Sequence, residues 1–123
     1  MTDKLRQLAK GQECKVRIPG VCNHNPETTV LAHMGGAGMA LKDRDIFGAH
    51  ACSSCHDVID GRSNEVDDDF AVQVFFLAAI IETQHWLYDN GYITWEGDEI
   101  QRKDPRATER LITWVKRLSG RMV

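Results

Sequence analysis

The chain lacks an apolar run long enough to cross a bilayer. Its longest such run covers residues 74–81, whereas a spanning helix needs about 18 or more consecutive apolar residues. The first residues also lack the apolar segment and small-residue cleavage site of a secretory signal. We therefore expect a cytoplasmic protein with no membrane association.

Two full domains do not fit in 123 residues, and the sequence has no internal repeat, low-complexity tract or long linker. Hydrophobic residues make up 42% and charged residues 27% of the chain, which is typical of one globular domain. We expect a single domain over residues 1–123, in which residues of about 11–62 hold a small core and those of about 65–123 form a helical extension.

Positive charge is scarce in the middle of the chain. Residues 43–100 hold thirteen carboxylates and only Arg44 and Arg62, while residues 1–20 carry a net charge of +3 and residues 101–123 of +5. This distribution allows a phosphate-binding face, although solvated helix faces explain it equally simply. The DNA-binding candidates are Lys15, Arg17, Arg102, Arg106, Arg110 and Arg117.

Four cysteines form two local pairs. Seven residues separate Cys14 from Cys22 and two separate Cys52 from Cys55, with 29 residues between the pairs. Cytosolic thiols stay reduced, and two converging pairs commonly close a tetrahedral zinc site. The sequence therefore predicts structural Zn²⁺ on these four thiolates; the alternative is four unrelated buried thiols.

The second cysteine pair and His56 also match the attachment motif of c-type haem literally. Covalent attachment of haem requires export, which we do not expect for this N-terminus, and it would leave Cys14 and Cys22 without a role. We therefore expect no haem.

Two histidines carry the functional hypothesis. His33 is the last residue of a predicted strand over residues 28–33, and His56 lies in a predicted helix that begins at Cys52 and ends near residue 61. Joined by zinc, such a fold can use His33 as a general base and His56 as the ligand of a catalytic divalent cation, Mg²⁺ or Mn²⁺. Asp60 shares a helix face with His56, and His50 is a further candidate for the site.

Hydrophobic spacing predicts the remaining elements. A short opening helix should end at residues 10–11, a second strand should include residues 46–47, and a long helix should run from about 67 to 90. The long helix is predicted to be broadly buried, through a stripe of apolar residues that neighbouring ones widen. The stripe is Phe70, Val74, Leu77 and Ile81, and the residues that widen it are Phe75, Phe76 and Ile80. A small strand or an extended segment is expected over residues 92–95. The last helix should begin at residues 104–105 and pack through an apolar stripe formed by Ala107, Leu111, Trp114, Val115 and Leu118.

The first half of the chain resembles the YbcO-like family of small HNH (His-Me finger) nucleases of phages and prophages, related in type to the Rap-like recombination endonucleases of lambdoid phages. Residues 5–22, 25–28, 30–33 and 51–60 carry the likeness. The resemblance implies an α+β fold with a zinc-stabilised ββα-metal core, and metal-dependent cleavage of DNA, including branched recombination intermediates. It assigns the general base to His33 and the catalytic metal ligand to His56.

The sequence departs from the HNH pattern at two points. Ala32 stands where many members have an acidic residue or histidine as a metal ligand, and the asparagine expected shortly before the second cysteine pair is absent. The leading hypothesis is a metal-dependent DNA endonuclease. The alternative is a non-catalytic zinc module that binds nucleic acid or protein, and the apolar C-terminal helices suggest a possible homodimer.

Overall fold

The computed structural model describes residues 4–34, 44–94 and 107–120, and within the last helix the side chains of residues 109–118. Within these residues, four α-helices accompany a small two-stranded sheet. In chain order these are α1 Lys4–Ala9, β1 Val30–Ala32, β2 Ala49–Ala51, α2 Ser53–Ile59, α3 Asp69–Asp89 and α4 Ala107–Gly120. Short 3-10 turns cover Pro26–Thr28 and Asp45–Phe47. The fold is therefore of the mixed helix-and-sheet class.

The sheet is antiparallel, with Leu31 opposite His50 and Ala32 opposite Ala49. The prediction of a strand at residues 46–47 is wrong, because these residues form the turn that precedes β2. Gly48 follows that turn, and a Cβ added to it would lie 2.8 Å from Cγ of Leu31. The strand β2 therefore begins at Ala49, two residues after Phe47. Glycine at position 48 allows the backbone to lie close to the Leu31 side chain, where a larger residue would clash.

The helix boundaries follow their capping residues. The Asp68 side chain accepts a hydrogen bond from the Ala71 amide at 3.1 Å and begins α3, which ends at Asn90. The Cys52 sulfur accepts from the Cys55 amide at the start of α2. The predicted opening, second and long helices are confirmed, because a polar cap or a turn residue marks their ends in the sequence.

The face of α3 that packs against the core agrees with the prediction only in part. The predicted burial of Phe75, Phe76 and Ile80 is confirmed, and Val72 and Ala79 lie with them in the core. Three residues of the other predicted stripe instead lie outside: Phe70 is 62% exposed, Leu77 52% and Ile81 43%. Because α3 is apolar around most of its circumference, hydrophobic periodicity cannot select the buried side.

The last helix also turns a different side inward. Ile112 is buried against the rest of the protein, whereas Leu111, Trp114 and Leu118 of the predicted stripe are exposed. α4 packs on α3, and its predicted first residues, 104–105, lie outside the described residues. Residues 92–94 form no strand in the described part of the chain, and Trp95 of that prediction lies outside it.

By length and composition alone, α3 is long and apolar enough to cross a membrane. Half of its most apolar window is buried inside the protein. A core helix of a globular protein meets the same criteria, and α3 contacts β2, α2 and α4. Its position in the structure is therefore that of a central core helix with one face left uncovered.

Candidate metal centre and histidine–aspartate pairs

The four cysteines converge. The sulfur atoms of Cys14, Cys22, Cys52 and Cys55 all lie within 4.8 Å of one another, and those of Cys22 and Cys52 are 3.8 Å apart. In a tetrahedral site with bonds of about 2.3 Å to zinc, the sulfurs lie about 3.8 Å apart. The cluster contains no disulfide, so the four cysteines could hold a metal such as zinc.

Two tight turns build this cluster. The Arg17 amide points to the Cys14 sulfur at 3.5 Å, and the Cys55 amide to the Cys52 sulfur at 3.4 Å. Arg17 has a φ of 50°, in the left-handed region, which closes the first turn. Amide groups that point at sulfur stabilise negative charge there, as a thiolate metal ligand requires.

Polar side chains join the cysteine loop to the start of α2. The Asn23 amide donates to the hydroxyls of Ser53 at 3.0 Å and Ser54 at 3.2 Å, and the Thr28 hydroxyl accepts from the Ser53 amide at 3.2 Å. These bonds hold the two cysteine pairs in register across 30 residues of sequence. The ligand cluster is therefore supported by more than its own sulfur contacts.

Without metal the thiols do not ionise together. A hydrogen bond from Cys55 lowers the pKa of Cys14 to about 4, in spite of burial. Burial raises the pKa of Cys22 to about 11, and the hydrogen bond to Cys14 together with burial raises that of Cys55. Ionisation of Cys14 therefore disfavours ionisation of Cys22 and Cys55. A divalent cation would neutralise the negative charge and allow the remaining thiols to lose their protons.

His33 lies directly after β1 and forms a close pair with Asp45. Its Nε2 is 2.6 Å from Oδ1 of Asp45, and the imidazole is 6% exposed. Arg6 of α1 donates to the same carboxylate oxygen at 3.2 Å. Burial raises the pKa of Asp45, but the hydrogen bonds from His33 and Arg6 outweigh it and lower the pKa overall. The carboxylate is thus ionised and fixes the ring of His33.

His56 and Asp60 form a second pair, one turn apart on α2. Nε2 of His56 lies 3.1 Å from Oδ2 of Asp60, whose side chain is 8% exposed. The guanidinium of Arg62 approaches the same oxygen at 3.2 Å. The predicted shared helix face is confirmed by this contact, and a cation at Asp60 would have to compete with Arg62.

The sequence hypothesis required His33 and His56 to act on one phosphate. Their elements pack together, since α2 contacts β1 and β2. Within residues 4–34, 44–94 and 107–120, the four thiols are the one group of three or more potential ligands within 4.8 Å of one another. Each histidine thus has one carboxylate partner, and the shared action of the two pairs stays a prediction.

His50 lies in the protein interior, in the middle of β2. It is fully buried, with Nδ1 2.9 Å from the ammonium of Lys15 and its ring edge toward Trp86. Burial, and next the charge of Lys15, lowers the pKa of His50 to about 4. The imidazole is therefore neutral and buried, which does not favour direct contact with a substrate, and the catalytic role of His50 stays a prediction.

The predicted DNA-binding cations have different surroundings. Lys15 is buried against His50, and Arg17 forms a two-pronged bond to Glu82 of α3 at 2.7 and 2.8 Å. Arg110 and Arg117 lie on the exposed side of α4, while Arg102 and Arg106 are outside the described residues. Lys15 and Arg17 are therefore less suited to contact phosphate, because Lys15 already contacts His50 and Arg17 already binds Glu82.

Asp45, Arg62 and Glu82 were not anticipated from the sequence. Asp45 is separated from His33 by twelve positions and Glu82 from Arg17 by sixty-five. Arg62 is close to Asp60 along the chain, but spacing alone does not distinguish an ion pair there from a solvated side chain. No local pattern identifies such partners, because only the folded arrangement of α1, β1 and α3 brings them together.

Comparison with known proteins gives this geometry a context. A family model described as "Putative nuclease YbcO" matches residues 3–92. The chain belongs to this family. The match includes all four cysteines and both histidine–aspartate pairs, and it ends before α4.

Individual relatives agree with the family match. The chain is 54% identical over 70 residues to "Putative nuclease YbcO" of Escherichia coli K12, across 54% of this chain and 73% of the relative. Identical figures apply to the nuclease of that name from Enterobacteria phage 82. A solved structure described as that of "a putative bacteriophage protein" from Escherichia coli K-12 MG1655 superposes with a TM-score of 0.64 at 44% identity, over 72% of this chain and 100% of that one. A nuclease function of phage type is therefore plausible.

Proposed function

We propose that the protein is a metal-dependent DNA endonuclease in which His33 is the general base. The observation that carries this proposal is the 2.6 Å contact between Nε2 of His33 and the Asp45 carboxylate. A carboxylate fixed behind an imidazole selects the tautomer with the proton on the shared nitrogen. Membership in a family named for nuclease activity supports the same reading.

In this mechanism His33 donates Nε2–H to Asp45 and keeps a lone pair on Nδ1. Nδ1 accepts a proton from water as the water oxygen forms a bond to phosphorus, and the bond from phosphorus to the leaving oxygen breaks. Asp45 remains ionised throughout and stabilises the imidazolium. The reaction thus converts one water and one phosphodiester into a phosphomonoester and a hydroxyl.

We propose that His56 and Asp60 hold the catalytic divalent cation, Mg²⁺ or Mn²⁺. One imidazole nitrogen and one carboxylate oxygen, 3.1 Å apart on adjacent helical turns, form a suitable pair of donors. A cation bound there would supply positive charge beside the phosphate and the leaving oxygen. The order β1, β2, α2 around the cysteine cluster is the order expected for an HNH, or ββα-metal, core.

DNA in this proposal lies along the basic termini, with Arg110 and Arg117 of α4 as phosphate contacts. Phosphate contacts of this kind position the duplex but carry little sequence information. The preferred substrate is branched DNA in the cytoplasm of the bacterial host. The core of residues 11–62 would supply the chemistry, and the helical part from about residue 65 the substrate-binding surface.

The test compares cleavage of branched and linear DNA by zinc-loaded protein with Mg²⁺, Mn²⁺ or EDTA. We expect divalent-dependent nicking by the wild type and at least a hundredfold lower rate for His33→Ala. His85→Ala is the matched control, since His85 belongs to neither pair, and it should cleave as the wild type does. Absence of metal-dependent cleavage, or full activity of His33→Ala, would overturn the proposal.

A second function is favoured by Ala32 and Arg62. Ala32 cannot bind a cation, and Arg62 occupies the oxygen of Asp60 that a cation would use. A non-catalytic zinc module that binds nucleic acid or protein would not need a catalytic cation, so neither Ala32 nor Arg62 would interfere with its function. It would retain zinc and bind DNA in a salt-dependent manner, with no cleavage under any metal condition.

A further inference from the structure

Helix α3 exposes an apolar seam on the side opposite the core. The seam consists of Phe70, Leu77, Ile81 and Tyr88, which are 62%, 52%, 43% and 45% exposed. Steps of seven, four and seven residues keep these four side chains on one face of a helix. Contiguous apolar faces of this kind mark contact sites rather than ordinary monomer surface.

A bilayer is a poor occupant for this seam. The opposite side of α3 is packed into the core through residues such as Phe75 and Ile80, so only one side is available to lipid. Asp69 and Asp89 stand at the two ends of the helix, where their charges oppose insertion. The seam suits a partner that covers one side and leaves the core contacts unchanged.

We propose that the occupant is a second copy of this chain, with the two α3 helices antiparallel. The seam is symmetric about residue 79: positions 70 and 88 are equally distant from it, as are positions 77 and 81. A twofold axis that crosses the seam at the level of residue 79, on the side of α3 opposite to the buried Ala79, therefore sets Phe70 of one copy against Tyr88 of the other, and Leu77 against Ile81. Aromatic meets aromatic at both ends, and aliphatic meets aliphatic in the centre.

The charge pattern of α3 agrees with self-association. A twofold contact applies the same surface twice, so charged side chains within it would face like charges near the axis. The exposed face between the ends of α3 carries no carboxylate, lysine or arginine, because its other residues are Gln73, Val74, Gln84 and His85. The charged Asp69 and Asp89 lie at the margin, where salt screens their repulsion.

The area of the seam determines the strength we expect. Four large side chains that are each about half exposed offer on the order of 100 Å² apiece, or roughly 400 Å² per copy. This is about half of the roughly 800 Å² per partner in a standard stable interface. The dimer is therefore weak, with a dissociation constant in the micromolar range.

The dimer has a consequence that rests on the proposed nuclease function. Two copies related by a twofold axis present two active sites related by the same axis. A symmetric branched DNA offers two equivalent strands for cleavage, so the pair of sites fits that substrate class. The proposed dimer depends only on the exposed residues of α3, and its formation is measured without DNA or divalent cation.

The experiment is sedimentation velocity of zinc-loaded full-length protein from about 1 to 500 μM. We expect a reversible shift from monomer to dimer that strengthens with NaCl, as screening reduces the Asp69–Asp89 repulsion. Leu77→Lys and Ile81→Glu should each weaken association at least tenfold. The double variant should regain part of the loss, because the antiparallel register brings Lys against Glu twice.

Leu111→Lys is the matched control, since Leu111 is an equally exposed apolar residue on α4, and it should associate as the wild type does. Circular dichroism verifies the fold of each variant. A monomer at all concentrations, a double variant weaker than both single ones, or loss of association in Leu111→Lys would each overturn the proposal. Flotation of wild-type protein with phosphatidylcholine vesicles that Leu77→Lys abolishes would overturn it also. None of these outcomes depends on nuclease activity.

Discussion

The ammonium of Lys116 lies 2.6 Å from the carbonyl oxygen of Lys15 and 3.0 Å from that of Val16. It also contacts the Glu82 carboxylate at 3.4 Å. These carbonyls directly follow Cys14, so α4, which lies beyond the family match, is bonded to the loop that carries one thiol of the cysteine cluster. The extension is thus part of the folded core and not an independent appendage.

Replacing Lys116 by Met should therefore destabilise the fold. The variant leaves two interior carbonyls without a donor, and we expect a loss of about 1–3 kcal/mol in the free energy of unfolding. Urea unfolding of zinc-loaded protein, followed by circular dichroism, measures this loss. Arg117→Met, at an exposed neighbouring position on α4, is the control and should change stability by less than about 0.5 kcal/mol.

The same variant should change the pH dependence of stability. Burial, and next the charge of Arg17, lowers the pKa of Lys116 from 10.5 to about 8. Between these values the unfolded chain binds the proton that the folded chain has released, so this residue makes the fold more stable as pH rises. Unfolding at pH 7.5 and 9.5 should reveal this gain in the wild type and its absence in Lys116→Met.

Removal of metal should unfold the cysteine cluster. We expect about one zinc per chain by elemental analysis, and a melting temperature at least about 10 °C lower after chelation. Cys14→Ser should reproduce the loss, whereas His24→Ala should retain zinc although its ring lies 3.7 Å from the Cys22 sulfur. A metal-free protein with unchanged melting temperature would contradict a structural zinc site.

Zinc binding should also release protons at pH 7. The raised pKa values of Cys22 and Cys55 mean that these thiols are protonated without metal, while zinc binds the thiolates. Calorimetric titration in two buffers of different ionisation enthalpy counts the protons, and we expect two or more. Release of none would indicate that the metal binds elsewhere.

Local signals in the sequence were sufficient for the helices and the metal ligands. Caps at Asp68 and Asn90 mark α3, and the short spacing of Cys52 and Cys55 marks one half of the thiol cluster. These features depend on a few neighbouring residues, and the folded structure preserves them. The zinc prediction therefore required little knowledge of the tertiary arrangement.

Nonlocal contacts were not predictable in the same way. Asp45 reaches His33, and Lys15 occupies the space beside His50, only because the sheet and α1 come together in the fold. The buried side of α3 depends on which face meets the sheet, and a helix apolar on every side gives no preference. Errors thus concentrate where packing decides between chemically similar faces.

Arg62 should control access of a divalent cation to Asp60. Its guanidinium lies 3.2 Å from the carboxylate oxygen that a cation would bind, so Arg62→Met removes a competitor. We expect about tenfold tighter Mn²⁺ binding in that variant, measured from the electron paramagnetic resonance signal of free Mn²⁺. Asp60→Asn should abolish the binding, and Glu65→Gln, which alters a nearby carboxylate bonded to Ser63, should retain it.

Unchanged Mn²⁺ affinity in both Arg62→Met and Asp60→Asn would place the catalytic cation elsewhere. Because this titration contains no DNA, its result is independent of the cleavage assay. A cation that binds Asp60 without supporting cleavage would favour the zinc-module alternative.

Asp45→Asn should separate positioning of the base from binding of DNA. An amide can turn its NH₂ toward Nε2 of His33 and so place the ring proton on Nδ1, the nitrogen that has to accept a proton from water. We expect kcat to fall about a hundredfold or more, with unchanged DNA affinity in EDTA and a changed His33 tautomer in nitrogen NMR spectra. Arg6→Met is the matched control, since it removes the other partner of Asp45 and leaves the His33 contact in place.

A full-rate Asp45→Asn enzyme would mean that His33 needs no carboxylate for its function. A slow variant with an unchanged tautomer would mean that Asp45 acts through the charge it places beside the imidazolium.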